Sequence, residues 1–193
     1  MKALGKLLLV LALALGSTTL AVPASQAGEA DPRWRFYTKD KREYRSRWYA
    51  GAHRIMIPFG CTRAPYYPPD PRCRRGRGFH HGLDIATPCG TRLFSDRWGW
   101  VVSNAGLGSA YGRNPLRLRN YEVGFDLVIG HTRKVFVKPG DRVRPGTKIA
   151  KASDSGAPDG CHLHFEKRAL RGGLSTATHP REMLELKVKR KKG

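Results

Sequence analysis

The chain has 193 residues, with 36 lysines and arginines against 15 aspartates and glutamates and a formal charge of +21. That length suits one domain. The charge favours association with polyanions, whether nucleic acid, acidic polysaccharide, wall polymer or anionic membrane, and arginine-biased composition on a solvated surface explains it equally well.

The opening residues Met1 to Lys6, the apolar run Leu7 to Leu15 and the small residues through Ala27 read as a secretory leader over residues 1–27, with Ala30 as an alternative cleavage point. The apolar run is too short to span a bilayer, and no other stretch is long and apolar enough to try. Loss of Lys2 and Lys6 with the leader would lower the charge to +19. The expected product is exported to the cell exterior.

Residues 28–50 form a basic aromatic segment in which Trp34, Phe36, Tyr37, Tyr44, Trp48 and Tyr49 alternate with arginines and lysines. Such interleaving can stack on bases or sugars. The four-residue spacing of Tyr44 and Trp48 favours instead a short helix pressing its aromatics onto the main domain, residues 51–186. From Gly51 onwards short strands alternate with turns. Trp98 to Val102 reads as a strand, Ala105 to Pro115 as a polar surface loop, and Phe125 to His131 as a strand with Phe125, Leu127, Ile129 and His131 on one face. Pro139-Gly140 and Pro145-Gly146 are turns separating Val135–Val137, Val143 and Ile149-Ala150 in a compact meander. A short helix over Pro180 to Leu186 and a frayed basic tail, residues 187–193, close the chain.

Four cysteines entering an oxidising compartment predict two disulfides. Cys61 and Cys73 bracket a proline-rich loop and form the local pair, which leaves Cys89 with Cys161. Cys161 as a thiolate metal ligand is the rival reading, but it directly precedes His162 and so points to the opposite face of a strand.

Two segments carry metal-capable side chains. In Cys161-His162-Leu163-His164-Phe165-Glu166 the two histidines project from one face of a strand, roughly 6.5–7 Å apart, with Leu163 and Phe165 facing a core. In Gly78-Phe79-His80-His81-Gly82-Leu83-Asp84, His80 and Asp84 share a face of a strand or of a helix, and the surrounding glycines and Pro88 favour the strand. His80, Asp84 and His164 would make three protein ligands to zinc with a fourth position open, the arrangement of a catalytic site. His53, His81 and His179 have no such partners and read as bystanders, His81 at most lining a groove.

His80-x-x-x-Asp84 with its internal Gly82, Gly90 beyond it, His131 at a strand end, the paired Pro-Gly turns and His162-Leu163-His164-Phe165-Glu166 together resemble the lysostaphin/LytM-type zinc metallopeptidases of bacterial peptidoglycan, over about Phe59 to Glu166. The resemblance implies an all-β fold, an antiparallel sheet core with long groove-forming loops and few short helices. It implies Zn2+ held by His80, Asp84 and His164, with His162 and His131 catalytic. His162 is assigned as general base and His131 to water positioning or the oxyanion, roles that the sequence leaves exchangeable. Glu166 reads as a partner that holds a ligand rather than as a base. Tyr66 and Tyr67 are candidates for substrate contact, with simple packing as the alternative. The expected partner is the peptide of peptidoglycan, with anionic wall polymers as secondary contacts, no specific nucleic acid and a monomeric state. An inactive wall-binding or amidase-regulating module keeps the same fold, and a basic secreted nuclease fits the His-x-His-x-Glu context less well.

Overall fold

The computed structural model describes residues 28–190. The expected leader, residues 1–27, and the last residues of the tail, 191–193, lie outside them. In chain order the strands are β1 (Glu43–Ser46), β2 (Tyr49–Ile57), β3 (Gly60–Thr62), β4 (Gly78–His80), β5 (Leu83–Ile85), β6 (Arg92–Phe94) and β7 (Gly99–Val102). They continue as β8 (Leu116–Asn120), β9 (Phe125–Gly130), β10 (Thr132–Arg133), β11 (Arg142–Val143), β12 (Lys148–Ala152), β13 (Leu163–Ala169) and β14 (Lys187–Val188). One helix, α1 (Arg181–Leu184), and two 3-10 turns, Ser109–Tyr111 and Leu174–Thr176, complete the described residues. The all-β expectation holds. Among the described residues no helix is long and apolar enough to cross a membrane.

The main sheet runs β10-β12-β6-β2-β5-β13-β9-β8-β7-β11, with β1 and β14 added beside β2, and every pairing in it is antiparallel. Strand alternation divides its two faces cleanly. Leu83 and Ile85 on β5, Leu163 and Phe165 on β13, Leu127 and Ile129 on β9, Leu116 and Leu118 on β8, Val101 on β7 and Val143 on β11 enter one buried cluster. Their neighbours point the other way. Register sets His164 opposite Asp84 on one side and Gly130 on the other, so the face that is not core carries the chemistry.

The aromatic segment departs from its expected helix. Tyr44 lies on β1 and Trp48 in the turn to β2, both fully buried. Trp48 packs edge-on against Phe165 at 4.8 Å between ring centroids and donates from its indole to the Met183 carbonyl. A spacing of four suits one face of a strand as well as one face of a helix, and pairing with β2 decided the matter. The expected boundary between residues 50 and 51 falls inside β2.

Three other expectations change. Val135 to Val137 is not a strand, and β11 and β12 pair with distant β7 and β6 and not with each other, so the compact meander does not form. The two Pro-Gly turns are as expected, each closed by a backbone hydrogen bond across it, with Gly140 and Gly146 in the positive-φ conformation that a glycine at that position supplies. The tail is not frayed at its start: Lys187 and Val188 pair with β1, and Lys189 bonds through backbone and side chain to Glu43. His80 and Asp84 do not share a strand, since the chain breaks at His81-Gly82 between β4 and β5.

Candidate metal centre

Three elements bring the donors together. β4 supplies His80, β5 supplies Asp84 and β13 supplies His164, all three buried. Asp84 Oδ1 lies 2.8 Å from His164 Nδ1 and 3.4 Å from His80 Nε2, and the two nitrogens are 3.2 Å apart. Ligands ~2.0–2.1 Å from a tetrahedral zinc ion sit ~3.3 Å from one another, so this triangle is close to one face of such a tetrahedron. The donor set therefore fits the ion. The same three residues are a group able to hold a metal by proximity.

Two glycines make room for His164. A Cβ on Gly82 would lie 2.6 Å from His164 Cε1, and one on Gly130 would lie 3.2 Å from His164 Cβ. Neither glycine has a positive φ, so the requirement is for space alone.

Each histidine of the site has its second nitrogen engaged, which fixes the ring and its tautomer. His80 Nδ1 bonds the Pro58 carbonyl at 3.2 Å, leaving Nε2 for the triangle. His164 Nε2 donates to Glu166 Oε1 at 2.9 Å, leaving Nδ1 for the triangle. His162 Nδ1 donates to the Gly160 carbonyl at 2.9 Å and His131 Nδ1 to the Ser155 carbonyl at 2.8 Å, so each presents a bare Nε2. The His131 and His162 rings lie 4.3 Å apart between centroids, and His162 Nε2 is 3.7 Å from Asp84 Oδ1.

His131 reaches this position by leaving the strand pattern. Continued alternation along β9 would send it into the core with Leu127 and Ile129, as the sequence suggests. Its φ of 52° breaks the alternation and turns the ring towards His162 and His164 instead.

Glu166 is consumed by its neighbours. Oε1 accepts from His164 and from the Tyr111 hydroxyl at 2.8 Å, Oε2 accepts from Arg168 Nε at 2.6 Å, and Arg168 Nη2 also donates to the Tyr111 oxygen at 2.7 Å. Burial works against its charge, but His164 and Arg168 outweigh that and bring its carboxyl down to about 2. A carboxylate so bound is a holder of His164 and not a proton acceptor. Arg168 lies two residues beyond Glu166 on the same face of β13, a signal the sequence did carry. Tyr111 comes from the 105–115 loop, where nothing local marks it.

The pocket attracts positive charge. Burial disfavours an imidazolium at His164, yet the hydrogen bonds to Asp84 and Glu166 raise its pKa to about 10. Burial likewise opposes the charge on Asp84, but the His80 and His162 rings and the His164 bond hold its carboxyl well below the usual range. His131 differs: burial, with His162 and His164 nearby, pushes it down to about 3 and keeps it neutral. Tyr67, Pro69, Phe79, His81, Tyr111 and His131 are among the residues around a groove of about 350 Å³ that opens onto His164. His53 and His179 lie away from it, while His81 lines its rim.

Both disulfides have the expected pairing, Cys61 to Cys73 and Cys89 to Cys161, so Cys161 is no ligand. The first closes the loop that walls the groove. The second ties the residue before His162 to the segment following β5.

A curled antiparallel sheet bearing a His/Asp/His triangle and two further histidines defines the lysostaphin/LytM class of fold and site. The chain belongs to peptidase family M23, whose sequence model matches residues 78–177. It is 37% identical over 87 residues to the peptidoglycan DD-endopeptidase ShyB of Vibrio cholerae serotype O1 (strain ATCC 39315 / El Tor Inaba N16961), covering 45% of this chain and 20% of that protein. The catalytic domain of the antimicrobial peptidase lysostaphin from Staphylococcus simulans superposes with a TM-score of 0.56 at 27% identity, over 69% of this chain and 92% of that one. A zinc containing peptidase from Vibrio cholerae superposes with a TM-score of 0.50 at 28% identity, over 79% of this chain and 39% of that one. The match thus spans about one fifth of the length of the curated relative.

Proposed function

We propose that the protein is an exported zinc-dependent endopeptidase that hydrolyses peptide bonds of bacterial peptidoglycan. The observation that carries this reading is the donor triangle with two bare imidazole nitrogens beside it, each aimed by a backbone carbonyl. His80 Nε2, Asp84 Oδ1 and His164 Nδ1 would hold the ion. A bound zinc ion supplies Lewis acidity, polarising a carbonyl and making water a better nucleophile near neutral pH.

The chain's own residues do the rest. His162 Nε2 lies within reach of the triangle and takes the proton of the attacking water, later returning it to the leaving amine. His131, held neutral on the groove wall with its proton on Nδ1, orients that water by accepting an O–H at its bare Nε2. Glu166, gripped by Arg168 and Tyr111, keeps His164 in the tautomer that offers Nδ1. The groove walls exclude bulk solvent and align the peptide. Support for the peptidoglycan substrate comes from family membership and from the likeness to a peptidoglycan DD-endopeptidase of Vibrio cholerae.

The test is digestion of purified peptidoglycan with mass analysis of the fragments. His162→Ala should slow release of new amino termini at least ~100-fold while the protein still binds zinc. Undiminished release by His162→Ala, or release that survives removal of zinc by a chelator, contradicts the assignment.

A further inference from the structure

On the face of the sheet opposite the core, register extends the site beyond the metal centre. Arg168 on β13 faces Asp126 on β9, Asp126 faces Arg119 on β8, Arg119 faces Trp100 on β7, and Trp100 faces Arg142 on β11. β7 stands three strands from β13, ~14 Å across the sheet. The row runs from Arg168, which grips Glu166, and Asp126, both buried, to an exposed cluster at the sheet's far edge.

That cluster is unusual in composition. Trp98, Trp100 and Tyr121 are 50%, 42% and 50% exposed. The Arg142 guanidinium lies over both indoles, 5.1 Å from Trp98 and 5.9 Å from Trp100, and Arg119 lies 5.8 Å from the Tyr121 ring. Arg119 is paired with Asp126, but Arg142 has no carboxylate partner among the described residues. Between the cluster and the metal centre, Arg117 stands on the same face opposite Val128, with its buried Nε lacking a partner. Exposed aromatic rings gathered in one patch leave apolar surface in water and mark binding surfaces, and the Arg142 guanidinium adds a charge beside them.

We propose that this edge is a second substrate-binding surface, taking a glycan strand whose attached peptides bear carboxylates. Trp98 and Trp100 offer flat apolar faces to pyranose rings, and Arg142 beside them offers charge to a carboxylate. The inference rests on the peptidoglycan reading above. A nucleic acid would also meet aromatic and basic groups here, but continuity with the catalytic face favours the polymer being cut.

The experiment uses the full chain. Binding to purified sacculi is compared for His162→Ala alone, for His162→Ala with Trp98→Ala/Trp100→Ala, and for His162→Ala with Arg142→Ala. In parallel, the double tryptophan variant with His162 intact is assayed on a short cross-linked peptide that lacks sugar. Half-saturation on sacculi should rise about tenfold in both surface variants, with KM and kcat on the short peptide changed less than about twofold. Unchanged sacculus binding, an equal loss on the short peptide, or tighter binding of a single-stranded oligonucleotide than of soluble glycan strands would overturn it. Should the parent chain cut neither substrate, the endopeptidase reading fails, while the binding comparison still decides the surface.

Discussion

At the residue scale the site is organised by what holds each histidine. Four rings depend on four different acceptors, Pro58, Ser155, Gly160 and Glu166, and only the last is a side chain. Glu166 is therefore the position where a substitution alters the metal centre without touching a ligand. Glu166→Ala should weaken zinc affinity 10–100-fold, with Glu166→Gln intermediate, as read by competition with a chelating dye. Gly82 gives a second test: Gly82→Ala sets a methyl 2.6 Å from His164 and 2.9 Å from the Phe165 carbonyl, so zinc should be lost from a chain whose far-ultraviolet spectrum is unchanged. The grouping of His80, Asp84 and His164 was legible because a His-x-His pair and a spaced His and Asp have few other uses together. Tyr111 and the turn at His131 were not, since both depend on contacts between segments far apart in sequence.

At the element scale the aromatic segment before β2 is a strap across the site. Asp31 accepts the Cys161 backbone N–H at 2.9 Å and the Trp34 indole donates to the Cys161 carbonyl at 2.5 Å, so both polar groups of the residue before His162 are satisfied from the N-terminal side. Hydrogen bonds from Arg33 hold the Asp31 carboxyl well below the usual carboxylate range, against the opposing effect of burial. A carboxyl whose folded pKa is depressed contributes stability above its unfolded value, ~3.9, and loses it as pH falls towards the folded one. Asp31→Asn should therefore lower Tm at pH 7 and flatten the decline of Tm below about pH 4. Replacing Cys89 and Cys161 by serine should cost ~2–4 kcal/mol in a denaturant titration, because the bridge closes a long loop. The antiparallel β character could be read from alternation and turns. The order of strands could not, because β7 with β11 and β6 with β12 are chosen by the shared core and not by local pattern.

At the scale of the whole molecule, the chain carries a formal charge of +21, and the sheet face that bears the metal-capable triangle also bears Arg117, Arg119 and Arg168. Retention on an anionic wall should then weaken steeply with salt, since the screening length falls from ~10 Å at 0.1 M to ~3 Å at 1 M. Cleavage of a short neutral peptide should be nearly indifferent to the same change. The central claim, that one triangle of side chains binds the ion while a neighbouring histidine does the proton transfer, is tested by measuring bound zinc and peptidoglycan cleavage together. Wild type, His164→Ala and His162→Ala are compared. The account expects wild type to bind zinc and cut, His164→Ala to lose both, and His162→Ala to keep zinc while cutting at least ~100-fold more slowly. Full cleavage by His162→Ala, or undiminished zinc binding by His164→Ala, would contradict it.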